Sequence, residues 1–165
     1  MRFKTWSYRF AEQVLNSKLH LRKEIEQVIE SIDVSSDKLS RPNVNKIFRE
    51  KFLQFGWKEQ PKVAEEEDIE AKLDFFKERV GVEVAFSHSS FLGIDLLKFQ
   101  TMSYSNLDKI DIGVYIAVTN EFLKKLVKEY KQKWEGSLTF EKIVKYLPHF
   151  KSAIQVPIFV IGLED

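Results

Sequence analysis

Apolar positions along the chain follow two periods. Between residues 10 and 32 lie Val14, Leu15, Ile25, Val28, Ile29 and Ile32. The last four keep the three-to-four spacing of an amphipathic helix, which Ser35-Ser36-Asp37 should end. A second helical stripe opens at Asn43, after Pro42, and runs through Val44, Ile47, Phe48, Phe52 and Phe55. Gly56 sits where a glycine commonly closes a helix. From Val80 to Phe86 the period drops to two: Val80, Val82, Val84 and Phe86 alternate with Gly81, Glu83 and Ala85. Upstream, Leu73 and Phe75 alternate with Lys72, Asp74 and Phe76. With Lys77-Glu78-Arg79 between them, the two runs predict a β-hairpin. Helical spacing returns over 90–104, through Phe91, Ile94, Leu97 and Phe99. Residues 110–118 read as a central strand. Asn120 is positioned to cap a helix with the stripe Phe122, Leu123, Leu126, Val127, Tyr130 and Trp134. A shorter helix carries Phe140, Ile143, Val144 and Leu147 and stops at Pro148; Pro157 precedes a buried strand over 158–161. No internal repeat is present. The order predicts a mixed α/β fold with helices packed on a sheet.

The length of 165 residues suits a single domain over 1–165, and 44% hydrophobic residues are enough for a sizeable core. With 26 basic and 25 acidic residues the net charge is +1, which excludes a globally basic nucleic-acid coat but leaves room for a local basic groove. The absence of cysteine excludes disulfides, zinc fingers, iron–sulfur sites and cysteine nucleophiles. His20, His88 and His149 are scattered, which argues against a histidine-rich metal site. No apolar run reaches the roughly 18 residues of a membrane span. Residues 1–10 are polar and aromatic, without the apolar core of a secretory signal. These features predict a soluble, cytoplasmic protein. Residues 59–70, with Glu65-Glu66-Glu67-Asp68, read as a solvated loop or helix start.

Chemistry concentrates in the hairpin. If Leu73 and Phe75 share a face with Val82 and Val84, then Leu73 opposes Val84 and Phe75 opposes Val82. Asp74 then stands opposite Glu83. Directly paired residues have Cβ atoms about 4.5–5.5 Å apart, where like charges repel. One carboxyl can remain protonated, or a hard divalent cation can sit between the two. Ligation by carboxylates, a carbonyl and waters suits magnesium. A solvated face, with Lys72 or Lys77 screening both acids, is the plainer alternative.

The surrounding residues resemble a known family. The run from Lys72 to Phe86 holds Asp74, Lys77, Arg79, Val80, Glu83, Val84 and Phe86, and is followed by Asp95-Leu96 and by Asp108-Lys109-Ile110-Asp111-Ile112-Gly113-Val114. It is similar to the BglII and BstYI group of restriction endonucleases. There a stretch of the form D-F-x-K-D-R-V-A-x-E-V-Q-F precedes a helix with Y-D-L and then D-K-I-D-x-G-V. Weaker likeness extends to Glu50-Lys51, to Gly56-Trp57-Lys58-Glu59 and to Pro157 with Ile161-Gly162. The resemblance implies a PD-(D/E)XK nuclease fold, a mixed sheet flanked by helices. It implies magnesium-dependent hydrolysis of double-stranded DNA at a palindrome by a homodimer, with a GATC core in the site. Asp74 and Glu83 match the metal-binding carboxylates, and Val84 would offer its carbonyl.

The third motif position departs from the pattern. Where the group has glutamine, glutamate or lysine to orient or activate the attacking water, this chain has Ala85. Three accounts stand open: an introduced substitution, a natural loss that leaves a DNA-binding protein, or replacement by another side chain such as Lys72 or Lys98. A third functional class, an α/β interaction domain with decorative acids, also remains. Secondary candidates carry plainer readings. His88 reads as a surface or capping residue, and Ser87, Ser89 and Ser90 as helix caps within reach of phosphate. Glu50 reads as solvated, although related folds draw an auxiliary acid from such a helix. Lys124, Lys125, Lys128, Lys131 and Lys133 read as a wet helix face, and Asp95 with Lys98 as a pair one helical turn apart.

Overall fold

The computed structural model describes residues 1–34, 39–63, 71–104 and 108–165. Among these, β1 (Arg2–Tyr8) leads into α1 (Ala11–Asn16), α2 (Leu19–Glu30), α3 (Arg41–Gln54) and β2 (Lys58–Glu59). The hairpin follows as β3 (Phe75–Lys77) and β4 (Val80–Val84), then α4 (Leu92–Tyr104) and β5 (Ile112–Val118). α5 (Asn120–Lys128), α6 (Phe140–Tyr146) and β6 (Ile158–Glu164) complete the chain. The six strands form one mixed sheet in the order β1-β6-β5-β4-β3-β2. β4, β5 and β6 run parallel, and the flanking pairs are antiparallel.

Each face of the sheet carries its own core. Ile112, Val114, Ile116 and Val118 of β5 join Leu15, Ile25, Ile29, Phe48 and Phe52 from α1–α3 and Leu126 from α5. Tyr115 and Ala117 face the other way, with Leu96, Phe99 and Met102 of α4 and Ile143 of α6. All seven residues of β5 are buried, as expected of a parallel strand covered on both sides. At Gly113 a side chain of α4 packs directly on that strand. A Cβ built there would fall 2.6 Å from the Phe99 ring.

Local signals explain most boundaries. Gly56, at φ 77°, follows Phe55, the residue that caps the C-terminus of α3. The Trp57 amide donates to the Phe52 carbonyl at 3.0 Å and the Gly56 amide to that of Leu53 at 2.9 Å, a Schellman closure. The hairpin turns on only two residues, Glu78 and Arg79, both left-handed at φ 44° and 68°. Arg79 is held there by Asp111 and Asp108, each at 2.8 Å.

Several expectations are corrected. The stripe over 10–32 is two helices, parted at Ser17-Lys18, where Lys18 leaves helical geometry at φ −120°, ψ 50°. α3 begins two residues before Asn43, because Ser40 caps it by accepting from the Asn43 amide. α5 is capped by Thr119, whose Oγ1 accepts from the Phe122 amide at 3.2 Å; Asn120 is already inside the helix. α5 ends at Lys128, so Trp134 reaches the core from a loop, with its Nε1 donating to the Leu39 carbonyl at 2.8 Å. Arg2–Tyr8, not foreseen as a strand, pairs along its whole length with β6. It is an edge strand, exposed at Arg2 and Thr5, half-buried at the other positions through Ser7 and buried only at Tyr8, so its burial carries no period of two. Ser35-Ser36-Asp37 and Glu65-Glu66-Glu67-Asp68 lie outside the described residues.

Gly113→Ala should lower stability by about 1–3 kcal/mol, the usual cost of overpacking a tight core. Urea unfolding checks this; an unchanged midpoint would mean that Phe99 yields freely.

Candidate active site

The β3–β4 ladder pairs Phe75 with Val82, Phe76 with Gly81 and Lys77 with Val80. Beyond Phe75 two side chains take over the pairing. The Asp74 amide donates to Glu83 Oε2 at 3.0 Å, and the Val84 amide donates to Asp74 Oδ2 at 2.7 Å. The expected opposition of Asp74 and Glu83 is therefore present at the open end of the hairpin. Leu73 does not follow Phe75 onto the face of Val82 and Val84. It is buried in the opposite cluster, with its Cδ1 over Gly81. The alternation that suggested otherwise is broken at Asp74, where the ladder stops.

The site is short of positive charge. Glu83 is only 3% exposed. Burial and then the neighbouring Asp74 charge push its carboxyl well above the usual carboxylate range. Burial also raises Asp74, partly offset by the Val84 amide. Asp95 from α4 is buried behind them. Among the described residues Lys98 is the cation that meets this group. Its Nζ donates to Glu83 Oε1 and, at 3.1 Å, to Asp95 Oδ1. Burial alone would lower the Lys98 pKa, but Glu83 and Asp95 outweigh it and the pKa is raised. Tyr115 donates its hydroxyl to Asp95 Oδ2 at 2.8 Å. Burial, then the Asp95 charge, holds that hydroxyl protonated far beyond its ordinary range.

Three carboxyl groups around one ammonium leave a deficit that a divalent cation matches. No three His, Asp or Glu among the described residues are arranged to hold one ion. The protein would thus supply Asp74, Glu83 and the Val84 carbonyl. That carbonyl accepts one bond, from the Phe86 amide at 3.1 Å, and keeps a second lone pair. Water and substrate phosphate would complete the shell, the usual arrangement for magnesium. The donor set fits.

Asp74, Glu83, Val84, Asn45, Ser87 and Lys98 line a cleft of about 200 Å³. A groove of about 320 Å³ between α3 and β3 continues from it and carries Lys46 and Arg49. Ala85 is 3% exposed and belongs to an apolar cluster; its methyl offers no chemistry. Lys72 forms an isolated bridge with Lys62, so Lys98 is the lysine that reaches Glu83. Lys77 turns away to Glu24, at 2.8 Å. Glu50 is exposed and pairs with Lys46 at 3.8 Å; Asn45 is the residue of α3 that faces the acids. His88 caps the short turn Ser89–Phe91, in line with its reading as a capping residue, by accepting from the Ser90 amide at 3.2 Å; the cap does not come from Ser87, Ser89 or Ser90. Asn45 and Tyr115 were missed, since only a fold brings them to the hairpin.

A sheet of this order, with paired carboxylates at the open end of its central hairpin, defines a nuclease-like α/β class. The family described as restriction endonuclease BglII/BglIII matches residues 3–163. The chain belongs to this family of type II restriction endonucleases, enzymes that act on DNA. Its fold is similar to that in the crystal structure of restriction endonuclease BglII complexed with a DNA 16-mer, with a TM-score of 0.80 at 22% identity, covering 100% of this chain and 78% of that one. No curated protein matches the sequence.

Because the folded pKa of Glu83 lies above its unfolded value, its contribution to stability is complete below about pH 4.5 and is lost as pH rises toward the folded value. Without divalent ions, the wild-type urea midpoint should therefore fall from pH 4.5 toward neutrality relative to that of Glu83→Gln. A wild-type midpoint that rises against the variant would contradict the buried-charge picture.

Proposed function

We propose that this protein is a cytoplasmic, magnesium-dependent type II endonuclease that hydrolyses double-stranded DNA at a palindrome with a GATC core, acting as a homodimer. The observation that carries the reading is the Asp74–Glu83 exchange at the end of the hairpin, with the Val84 carbonyl beside it and a cleft in front. Asp74, Glu83 and Val84 would hold the ion. When bound, magnesium would supply Lewis-acid polarisation of the scissile phosphate and acidify water. In the hydrolysis a water oxygen bonds to phosphorus and the bond to the leaving sugar oxygen breaks. One proton of the water passes to that oxygen, and the other is released as the new monoester ionises. Asn45 and Ser87 lie where they can contact the strand being cut. Lys46 and Arg49, on the continuing groove, suit backbone phosphates.

The dimer is supported by α4. Its outer side exposes Ile94, Leu97 and Tyr104, with Phe91 just before the helix. An apolar hollow of about 190 Å³ beside them is lined by Leu97, Phe150 and Ala153. A two-fold DNA site calls for a self-complementary protein surface, and this stripe on the helix that also bears Asp95 and Lys98 would fix the separation of two sites.

A second reading, a DNA-binding protein of the same fold without cleavage, is favoured by Ala85. Incubation with plasmid and magnesium separates the two. Discrete fragments are expected from the wild type, with Asp74→Asn and Glu83→Gln slower by at least about a hundredfold. Tight duplex binding without cutting, unrelieved by Ala85→Gln, would establish the second reading. Leu97→Glu should shift the protein toward monomer in sedimentation velocity; an unchanged dimer would move the interface elsewhere.

A further inference from the structure

We propose that Lys98 performs the task of the missing third motif side chain, holding the attacking water from helix α4 in place of a donor on strand β4. The inference rests on the nuclease reading and extends it to a residue outside the hairpin.

Ala85 is the next residue after Glu83 on the same side of β4, so a longer side chain there would project beside the acids. Its methyl instead shares an apolar cluster with Leu92 and Leu96 of α4. A small residue at that point leaves room for α4 to close on the strand, and two turns along the helix Lys98 enters the space. It is anchored from behind. Tyr115, wholly buried on β5 and paired in register with Glu83, donates to Asp95, and Asp95 accepts from Lys98. The chain Tyr115–Asp95–Lys98–Glu83 fixes the ammonium at the cleft wall beside Asp74 and Ser87. Of its three donors, two are engaged by these carboxylates among the described residues. The third is available to a water oxygen approaching a phosphate at the ion that Asp74 and Glu83 would hold. A charged donor fixed in advance stabilises the hydroxide character that this oxygen takes on as the water gives up its proton to attack phosphorus.

A purely structural ion pair makes a different demand. It asks only for a cation of suitable reach, which arginine satisfies; a water-positioning group asks for the donor at one point, which the broad guanidinium fork does not reproduce. Lys98→Arg should keep both carboxylate contacts, and with them the fold. The full-length variant should cleave at least about tenfold more slowly in a single turnover with magnesium. Its thermal midpoint should stay within about 3 °C of wild type, and its duplex affinity, measured with calcium by fluorescence anisotropy, within about twofold. Lys98→Met should lose about a hundredfold or more, and Lys98→Met with Ala85→Lys should recover at least tenfold of that loss, because the donor returns from the strand. Cleavage by Lys98→Arg within about twofold of wild type overturns the role of Lys98 and leaves the nuclease reading intact. A folded, DNA-binding double variant that recovers nothing also overturns it. Wild-type protein that binds duplex and cuts none overturns the nuclease reading and this inference together.

Discussion

Two carboxylates that take over the backbone pairing of a terminated ladder are the constraint on which the site depends. Asp74 accepts the Val84 amide, and Glu83 accepts that of Asp74. Neither acid can turn to solvent without orphaning a partly buried backbone donor, and an unpaired buried polar group costs about 1–3 kcal/mol. The pairing thus holds two like charges together that would otherwise separate. Their repulsion is stored in the fold, and a cation held between them would relieve it. Any affinity for an ion here would come from the way a strand pair ends, with few side chains involved.

The rest of the molecule supports that ending. A six-stranded sheet covered on both faces keeps β4 and β5 dry, and dryness raises the cost of the charges. α4 answers with Lys98 and Asp95, and the sheet answers with the Tyr115 hydroxyl. The open side is left to α3, where Asn45, Lys46 and Arg49 border the cleft and its continuing groove. One wall of the site is acidic and buried; the other is polar, with Arg49 paired to Glu59 and Lys46 to Glu50 along the open groove.

The hairpin was legible in the sequence because its period-two pattern and its spacing survive folding: Phe75 does oppose Val82. β5 was legible from its unbroken apolar composition, and Gly56 from its place after an amphipathic stripe. Leu73 was misread because alternation holds only while the ladder does, and nothing local announces that Asp74 ends it. The first strand was hidden by its edge position. Asn45, Asp95 and Tyr115 meet the hairpin only through tertiary packing. Even the Asp95–Lys98 pair, visible as one helical turn, gives no sign in sequence that Glu83 is its third member.

The two-residue turn has a reach beyond the hairpin. Glu78 and Arg79 adopt backbone angles that glycine would take more cheaply, yet Arg79 ties the turn to the start of the neighbouring parallel strand through both its guanidinium and its carbonyl, the latter accepting from the Asp111 amide at 2.8 Å. That tie sets which residues of β4 and β5 stand side by side. Roughly 10 Å further along the strands, the same alignment brings the Tyr115 phenol to Glu83's side of the sheet. A slip of one position would turn the phenol over to the opposite layer. The half-buried arginine at the tip is therefore an alignment pin for residues it never touches.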